Sequence, residues 1–462
     1  MGCFWKAVIA AAPSLVWHTS GEDNDGAPTL VVAMLSRDEL PLLRKHLPAW
    51  RDLVDAVVLG LDDRGSNLDE LELTVRELCE PKPLEIYRFT FEDFGSAKSI
   101  LLQRAYEAFA HLDYVLLAEP DMLPLPDTFD RSSMQQRELV YAVRRSGKAS
   151  RGWHLADSIF RNDGNWRFKF RVHETPVYRR PAGSAGVPDA VKDSGMTVLE
   201  LEGTSARDSQ SRVVRLREEL RLVELDREEI PEHPRLLYYA GALRYELASE
   251  LQQGQVAPSE ERQADISKLA QSAAKLLARR VKQTSQVSSQ EQAQQQTVAA
   301  FYLGRTFTDF LEDVGKAERW YKKAIKFEAD FLYAPVALMH MLFKQERYEE
   351  ALQVGLDAER SAAMGPGGRP RPRLFMDSSP LQVCDIPLLV SKALYYVFVT
   401  PDVKARLLGP ASAVPFQGVW QRREVLLETA KQHCPEAAGP TASKKLTDIG
   451  QLERYWSTQG LG

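Results

Sequence analysis

The chain has 462 residues, of which 44% are hydrophobic and 27% are charged, and its formal net charge is −5. This length exceeds what one hydrophobic core usually covers, so we expect at least two domains. The composition is that of an ordinary globular protein, and the acidic balance gives no reason to expect a nucleic-acid partner. Four cysteines lie far apart and form no CxxC pair, which argues against a zinc site or a disulfide framework and favours a reducing compartment.

Residues 1–27 predict a leader rather than a folded element. Residues 7–17 are apolar and follow Lys6, as in a weak signal sequence or the stub of an anchor. Pro13 interrupts this run, which is also too short to span a bilayer. We therefore expect a disordered leader and a cytoplasmic protein, with a weak signal or anchor as the alternative.

Residues 28–205 alternate apolar runs and amphipathic stretches. The runs predict strands at 30–35, 55–61, 83–89 and 114–118, and the stretches predict helices at 38–54, 68–79 and 96–110. Such alternation predicts an α/β domain with a Rossmann-like, mostly parallel sheet and helices on both faces. Because ligands bind such sheets at the carboxyl ends of the strands, the polar residues that follow each strand are the candidates for chemistry.

Residues 210–362 predict an all-α domain of tetratricopeptide-like repeats. Two trios of small or aromatic residues lie 34 residues apart, namely Ala317, Tyr321 and Ala324, then Ala351, Gly355 and Ala358. This is the tetratricopeptide period, and small residues let paired helices approach closely. A mobile Gln/Ser-rich insertion is predicted near 252–297, around a helix at 263–281. Residues 363–462 predict a Pro/Gly linker and a helical extension with a disordered tail.

Two carboxylates and one histidine stand out as candidate metal ligands. Glu119 and Asp121 flank one proline directly after a predicted strand, where they could bind Mn²⁺ or Mg²⁺ beside a diphosphate; the alternative is a solvated turn. His173, in the strand-like run 168–174, could be a further ligand or a structural residue. Arg171 could bind phosphate oxygens, and Asp63 could bind a base or ribose or simply cap a turn.

The order of five short motifs resembles that of family 2 glycosyltransferases. The motifs are MLSRDE at 34–39, DRGS at 63–66, FGSAKS at 94–99, EPD at 119–121 and RVHE at 171–174. More narrowly, the chain resembles the branch that carries tetratricopeptide repeats after the transferase domain. The resemblance covers about 28–205, and the repeats extend it to about 360. It implies a GT-A fold and transfer of a sugar from a nucleoside diphosphate sugar.

The resemblance also implies roles for individual residues. The nucleotide-sugar site would include Met34, Ser36, Glu39, Asp63, Lys98, Glu119 and Arg171. The metal ligands would be Glu119, Asp121 and His173. An inverting transferase also needs a general base for the acceptor, and Asp157 and Glu174 are both candidates. The acceptor, which could be a peptide, a lipid or a glycan, is not specified.

Several departures from the family pattern keep a second function open. Glu119 replaces the usual first aspartate of the metal motif, Met122 replaces an acidic residue, and Lys98-Ser99 replaces an Arg-Asn pair. No second histidine stands near 200–205. The alternative is a degenerate transferase fold that acts as a scaffold and binds a protein partner through its repeats. A nucleotidyltransferase is disfavoured, since no Gly-rich loop after the first strand would cradle a triphosphate.

Overall fold

The computed structural model describes residues 27–134, 138–147, 153–180, 192–200, 211–253, 259–283, 290–363, 385–399, and residues 425, 426 and 452. Within these ranges the chain forms a sheet domain followed by helical repeats. The leader, the Pro/Gly linker and the predicted tail lie outside the described residues, apart from Ala27, Ala363 and Leu452. None of the helices in the described ranges is both long and apolar enough to cross a bilayer.

An eight-stranded sheet forms the centre of the first domain in the described part of the chain, in the order β3-β2-β1-β4-β7-β6-β10-β5. Strands β1 to β4 are mutually parallel, β7 is antiparallel to both β4 and β6, and β10 runs parallel to β6. Strands β8 and β9 form a separate hairpin. The strands are Leu30–Ser36, Ala56–Asp62, Leu84–Phe89, Tyr114–Ala118, Met122–Leu125, Val140–Gly147, Trp153–Arg161, Trp166–Lys169, Thr175–Tyr178 and Lys192–Glu200, numbered β1 to β10.

In the described part of the chain, two helices pack on one face of the sheet and a third packs on the other face. They are α1 (Leu40–Leu53), α2 (Leu68–Cys79) and α3 (Phe94–Phe109). Alternate residues of β1 face opposite sides: Val32 packs with α1 and α2, whereas Val31 packs with α3. Because both faces are covered, the central strands are apolar throughout, as their sequences predicted. The four predicted strands and three predicted helices of this half are confirmed to within a few residues.

The second part of the chain consists of consecutive helices that pack in pairs, α5 with α6, α7 with α8, and α9 with α10. The helices are α4 (Arg212–Glu229), α5 (Pro234–Gln253), α6 (Glu260–Lys282), α7 (Gln290–Asp309), α8 (Val314–Phe327), α9 (Tyr333–Lys344), α10 (Tyr348–Ala363) and α11 (Ile386–Val399).

Glycines mark places where paired helices approach each other closely. A Cβ added at Gly304 of α7 would lie 2.5 Å from the Tyr321 ring of α8, and one at Gly241 of α5 would lie 2.6 Å from the Leu277 side chain of α6. All six residues of the two trios are buried on the helices that the 34-residue period predicted. A Cβ added at Gly355 would lie 2.6 Å from the Val390 side chain of α11. Helical repeats are therefore confirmed.

The Gln/Ser-rich flanks at 252–262 and 282–297 were predicted to be mobile, but most of their described residues are helical. Helix α6 covers the predicted 263–281 and extends it, and α7 begins at Gln290. Gln294, Gln295 and Gln296 are buried. The Gln296 amide donates to the Val281 carbonyl oxygen at 2.9 Å, so glutamine here combines good helix propensity with a satisfied buried amide. Composition alone did not reveal this.

Candidate functional site

The strand order reverses at the centre of the sheet, between β1 and β4. From β1 the chain proceeds to β2 and β3 on one side and returns to β4 on the other. In sheets with such a reversal, the loops that leave the carboxyl ends of the two central strands diverge, and ligands commonly bind in the crevice between them. Three of the five motifs, at 34–39, 63–66 and 119–121, follow the carboxyl ends of β1, β2 and β4.

The loops after β1 and β2 are tied together by hydrogen bonds. The Glu39 carboxylate accepts from the Ser36 hydroxyl at 2.9 Å and from the Arg37 amide at 2.8 Å. Asp38 accepts from both the amide and the hydroxyl of Ser66, at 2.6 and 2.8 Å. The side chains of Glu39 and Ser36 thus stabilise the conformation of the loop. Asp38 was not among the predicted site residues, although its position in the first motif was visible.

Asp62, the last residue of β2, and Asp63, which follows it, lie in different environments. Asp62 is buried and holds Arg64 through both oxygens, at 2.6 to 3.1 Å. Burial raises the pKa of the Asp62 carboxyl. The contacts with Arg64 lower it by more than burial raises it, so the net shift is downward. Asp63 is exposed and accepts from the Thr90 hydroxyl at 2.6 Å. Asp63 therefore remains available to a ligand, whereas Met34, at 1% exposure, lies in the core.

The Glu119-Pro120-Asp121 turn is fixed by helix α1. The buried His46 ring lies with Nδ1 2.8 Å from the Pro120 carbonyl oxygen, and the Trp50 indole donates to the Met122 carbonyl oxygen at 2.9 Å. These contacts hold the backbone on both sides of Asp121. The Glu119 side chain is 51% exposed at the crevice. Contacts with α1 therefore fix the backbone that carries the carboxylates of Glu119 and Asp121.

Two cations and a second carboxylate surround Glu119. The Lys98 ammonium forms an ion pair with Glu174, and the Arg145 guanidinium lies 4.0 Å from the Glu119 carboxylate. Burial lowers the pKa of Lys98, but the carboxylates of Glu174 and Glu119 raise it more, and the net shift is upward. Burial raises the pKa of Glu174, whereas Lys98 lowers it, with a net downward shift. Both partners are thus charged at neutral pH. Arg145 lies on β6, outside the five motifs, so no sequence pattern indicated that it belongs to this group.

The run 168–174 was predicted to be strand-like, but residues 170–174 form the loop of the β8–β9 hairpin. Phe170 and His173 have positive φ angles of 75° and 50°, which a strand does not contain. Helix α4 supplies the compensating contacts. Asp226 accepts from the Arg171 amide at 2.8 Å and from its guanidinium at 2.5 Å, and Glu229 accepts at 2.7 Å. Arg171 therefore joins the sheet domain to the repeats.

The predicted metal ligand His173 also faces the repeats. Its ring stacks on Tyr239 of α5 at a centroid distance of 4.0 Å, and its Nε2 lies 3.5 Å from the Glu219 carboxylate of α4. No group of three His, Cys, Asp or Glu side chains suited to a metal ion occurs among the described residues. Tertiary contacts with α4 and α5 orient the His173 imidazole in this structure, and the assignment of Glu119, Asp121 and His173 as metal ligands stays a prediction.

The structure describes the side-chain surroundings of Glu174 but not those of Asp157, the other candidate base. Glu174 is 12% exposed and paired with Lys98. Asp157 lies on β7 opposite Ala142, and its side chain is outside the described part of the chain. The structure thus gives an environment for only one of them.

Comparisons with known proteins add little. No protein-family profile matches the chain, and no curated protein matches it. Among solved structures, it is similar to a putative kinesin light chain with nearly identical TPR-like repeats from Podosopora anserina, at 13% identity and a TM-score of 0.24, over 49% of this chain and 98% of that one. It is also similar to BtubC (BKLC) from P. vanneervenii, at 12% identity and a TM-score of 0.28, over 55% and 94%. At these scores neither likeness bears on function.

Proposed function

We propose that the sheet domain is a GT-A glycosyltransferase domain of the family 2 type, which transfers a sugar from a nucleoside diphosphate sugar to an acceptor. The supporting observation is the reversal of strand order between β1 and β4, with polar loops at the carboxyl ends of β1, β2 and β4. A crevice at such a reversal is the usual ligand site of open α/β sheets. The exposed Asp63 and the backbone of residues 36–39 would meet the nucleoside.

The donor diphosphate would lie near Glu119 and Asp121. Lys98 and Arg145 flank Glu119, and cations in this position favour a phosphate group. A divalent cation, Mn²⁺ or Mg²⁺, fits if Glu119 and Asp121 supply one or two carboxylate oxygens and the diphosphate supplies others, as Mg²⁺ commonly requires. Bound there, it would stabilise the charge that develops on the leaving diphosphate. The proposal does not require His173 as a ligand, because that side chain is stacked on Tyr239.

The acceptor hydroxyl needs a general base at the same edge. The lowered pKa of Glu174 keeps its carboxylate ionised, which is the state a base requires. The same shift makes it a weak base while Lys98 remains paired with it. A donor phosphate that attracts the Lys98 ammonium would weaken this pair and raise the pKa of Glu174. Asp157 remains the alternative base.

Turnover tests this proposal directly. Purified protein is incubated with a panel of nucleoside diphosphate sugars, with and without Mn²⁺, and release of the nucleoside diphosphate is measured. We expect metal-dependent release with one donor, and a loss of about 100-fold or more in Asp121→Asn. Glu107→Gln, which removes an exposed carboxylate from α3, should release diphosphate at the wild-type rate. Equal release by wild type and Asp121→Asn would contradict the proposal.

A scaffold is the second candidate, and a specific observation favours it. Lys98 is paired with Glu174, and Arg171 with Asp226 and Glu229, so two cations that the resemblance assigns to the donor are engaged by carboxylates of the chain itself. A transferase fold in this state would support a partner-binding repeat domain without turnover. Donor binding with no release in the presence of any acceptor class would favour this function.

A further inference from the structure

A cleft of about 320 Å³ lies within the repeats, far along the chain from the crevice residues. Its walls come from α5, α7 and the start of α9, the first helices of the three pairs, and the first residue of α4 stands at its mouth. A cleft of this size is at the lower end of the range for ligand sites. It is distinct from the proposed donor site.

Aromatic rings form much of the cleft wall. Tyr245 and Tyr302 lie 5.2 Å apart between ring centroids, and Phe301 lies 5.7 Å from Tyr302 and 6.1 Å from Tyr333. Rings packed on one another in this way are rigid and present their faces or edges at little entropic cost. Aromatic faces attract cations through their quadrupole.

The charges of the cleft are unevenly matched. Two arginines and two glutamates line the cleft, and Arg305 pairs with a further carboxylate, that of Asp309 one turn along α7, at 2.8 Å. Glu246 and Glu250 instead share a single guanidinium, that of Arg212, at 3.0 and 2.8 Å. Burial raises the pKa of Glu246, and Arg212 and the Tyr302 hydroxyl only partly offset this rise. One guanidinium thus serves two carboxylates beside the aromatic wall.

Arg212 is well placed to give way to another cation. Its side chain is 52% exposed, and it is the first residue of α4. Ion pairs that reach the surface typically contribute about 1 kcal/mol or less, so another cation can compete with the half-exposed guanidinium for the two carboxylates. The cleft therefore contains a pair of carboxylates, those of Glu246 and Glu250, that bind a basic side chain of the chain itself, Arg212.

We propose that this cleft binds a protein partner through an arginine or lysine side chain of an extended segment, which displaces Arg212 from Glu246 and Glu250. The incoming cation forms charge-assisted hydrogen bonds with the two carboxylates and lies against the rings of Tyr245 and Tyr302. Since these contacts involve none of the donor-site residues, the proposal stands whether or not the sheet domain transfers sugar.

Fluorescence polarisation with labelled peptides tests this site on the full chain. The probe is a short glycine–serine peptide that carries two arginines, and the reference peptide carries two glutamates instead. We expect the basic peptide to bind and the acidic one not to bind. Glu250→Gln should weaken binding of the basic peptide by about tenfold, since it removes a charge-assisted hydrogen bond.

A second substitution should change the affinity for the basic peptide in the opposite direction. Arg212→Gln removes the competing guanidinium and should tighten binding of the basic peptide by about two- to fivefold. Glu218→Gln, which removes an exposed carboxylate paired with Arg221 on α4, should leave the affinity unchanged. Equal binding of both peptides, equal binding by wild type and Glu250→Gln, or no binding of the basic peptide to Arg212→Gln would each overturn the proposal.

Discussion

Lys98→Met is expected to destabilise the folded protein by about 3 kcal/mol near pH 7, because it leaves a buried carboxylate without its partner. Lys98 and Glu174 are 25% and 12% exposed, and they connect α3 to the loop between β8 and β9. Removing one member of a buried ion pair costs more than the pair itself contributes, since the remaining charge is desolvated. Urea unfolding of wild type and variant measures the difference.

The pH dependence of that loss identifies its cause. In the wild type, the lowered pKa of Glu174 contributes stability above the unfolded-state pKa of a carboxyl, and this contribution is lost as the pH falls through the folded-state value. In the variant, burial without Lys98 raises the pKa of Glu174 above the unfolded value. The difference in unfolding free energy should therefore be largest near neutrality and shrink below about pH 5.

A double variant supplies the control for the ion pair. In a Glu174→Gln background position 174 carries no charge that Lys98→Met could leave unpaired, so the substitution should cost much less than it does in the wild type. A loss that is the same in both backgrounds, or that does not change with pH, would show that the lysine stabilises the protein by packing alone.

Gly95→Ala is expected to destabilise the protein by about 3 kcal/mol, which is large for the addition of one methyl group. The new Cβ would lie 2.1 Å from the Phe170 carbonyl oxygen, a backbone atom that cannot rotate away. Two hydrogen bonds close this contact: the Phe94 amide donates to the Arg171 carbonyl oxygen at 2.9 Å, and the Phe168 amide donates to the Ser99 hydroxyl at 2.8 Å. The loop before Glu174 would have to move.

Gly315→Ala is the matched control. A Cβ at Gly315, in the first turn of α8, would meet nothing closer than 3.8 Å. Alanine is favoured over glycine in a helix by about 0.5–1 kcal/mol, so this variant should be slightly more stable than the wild type. Thermal unfolding of both variants measures the contrast, and equal midpoints would contradict the close approach of α3 and the hairpin loop.

The sheet core and the repeats could be predicted because local pattern and tertiary environment agree there. Strands β1, β2 and β4 are apolar along almost all of their length, and the 34-residue spacing of small residues marks helix contacts that recur. The hairpin loop at 170–174 could not be predicted, since its conformation depends on Asp226, which follows it by more than 50 residues. The burial of Gln296 in α7 escaped prediction for a similar reason, because its amide donates to a carbonyl oxygen of the neighbouring helix α6.

The candidate site could be predicted in outline but not in its contacts. Motif order indicated that residues 36–39, 63 and 119–121 belong to one edge, and the order of the strands brings them there. Which carboxylate each cation would meet depends on packing between α3, β6 and the hairpin loop. Sequence reasoning therefore assigned Lys98 and Arg171 to a ligand, while the fold engages both with carboxylates of the chain.

Calorimetric titration with nucleoside diphosphates is the most direct test of the donor crevice. Uridine and guanosine diphosphates are titrated in Mn²⁺ into the wild type, into the Glu119→Gln/Asp121→Asn double variant and into Glu107→Gln. We expect one diphosphate to bind the wild type and Glu107→Gln equally, and to bind the double variant at least about tenfold more weakly. The absence of binding to a folded wild type, or equal binding by the double variant, would contradict a nucleotide site between β1 and β4.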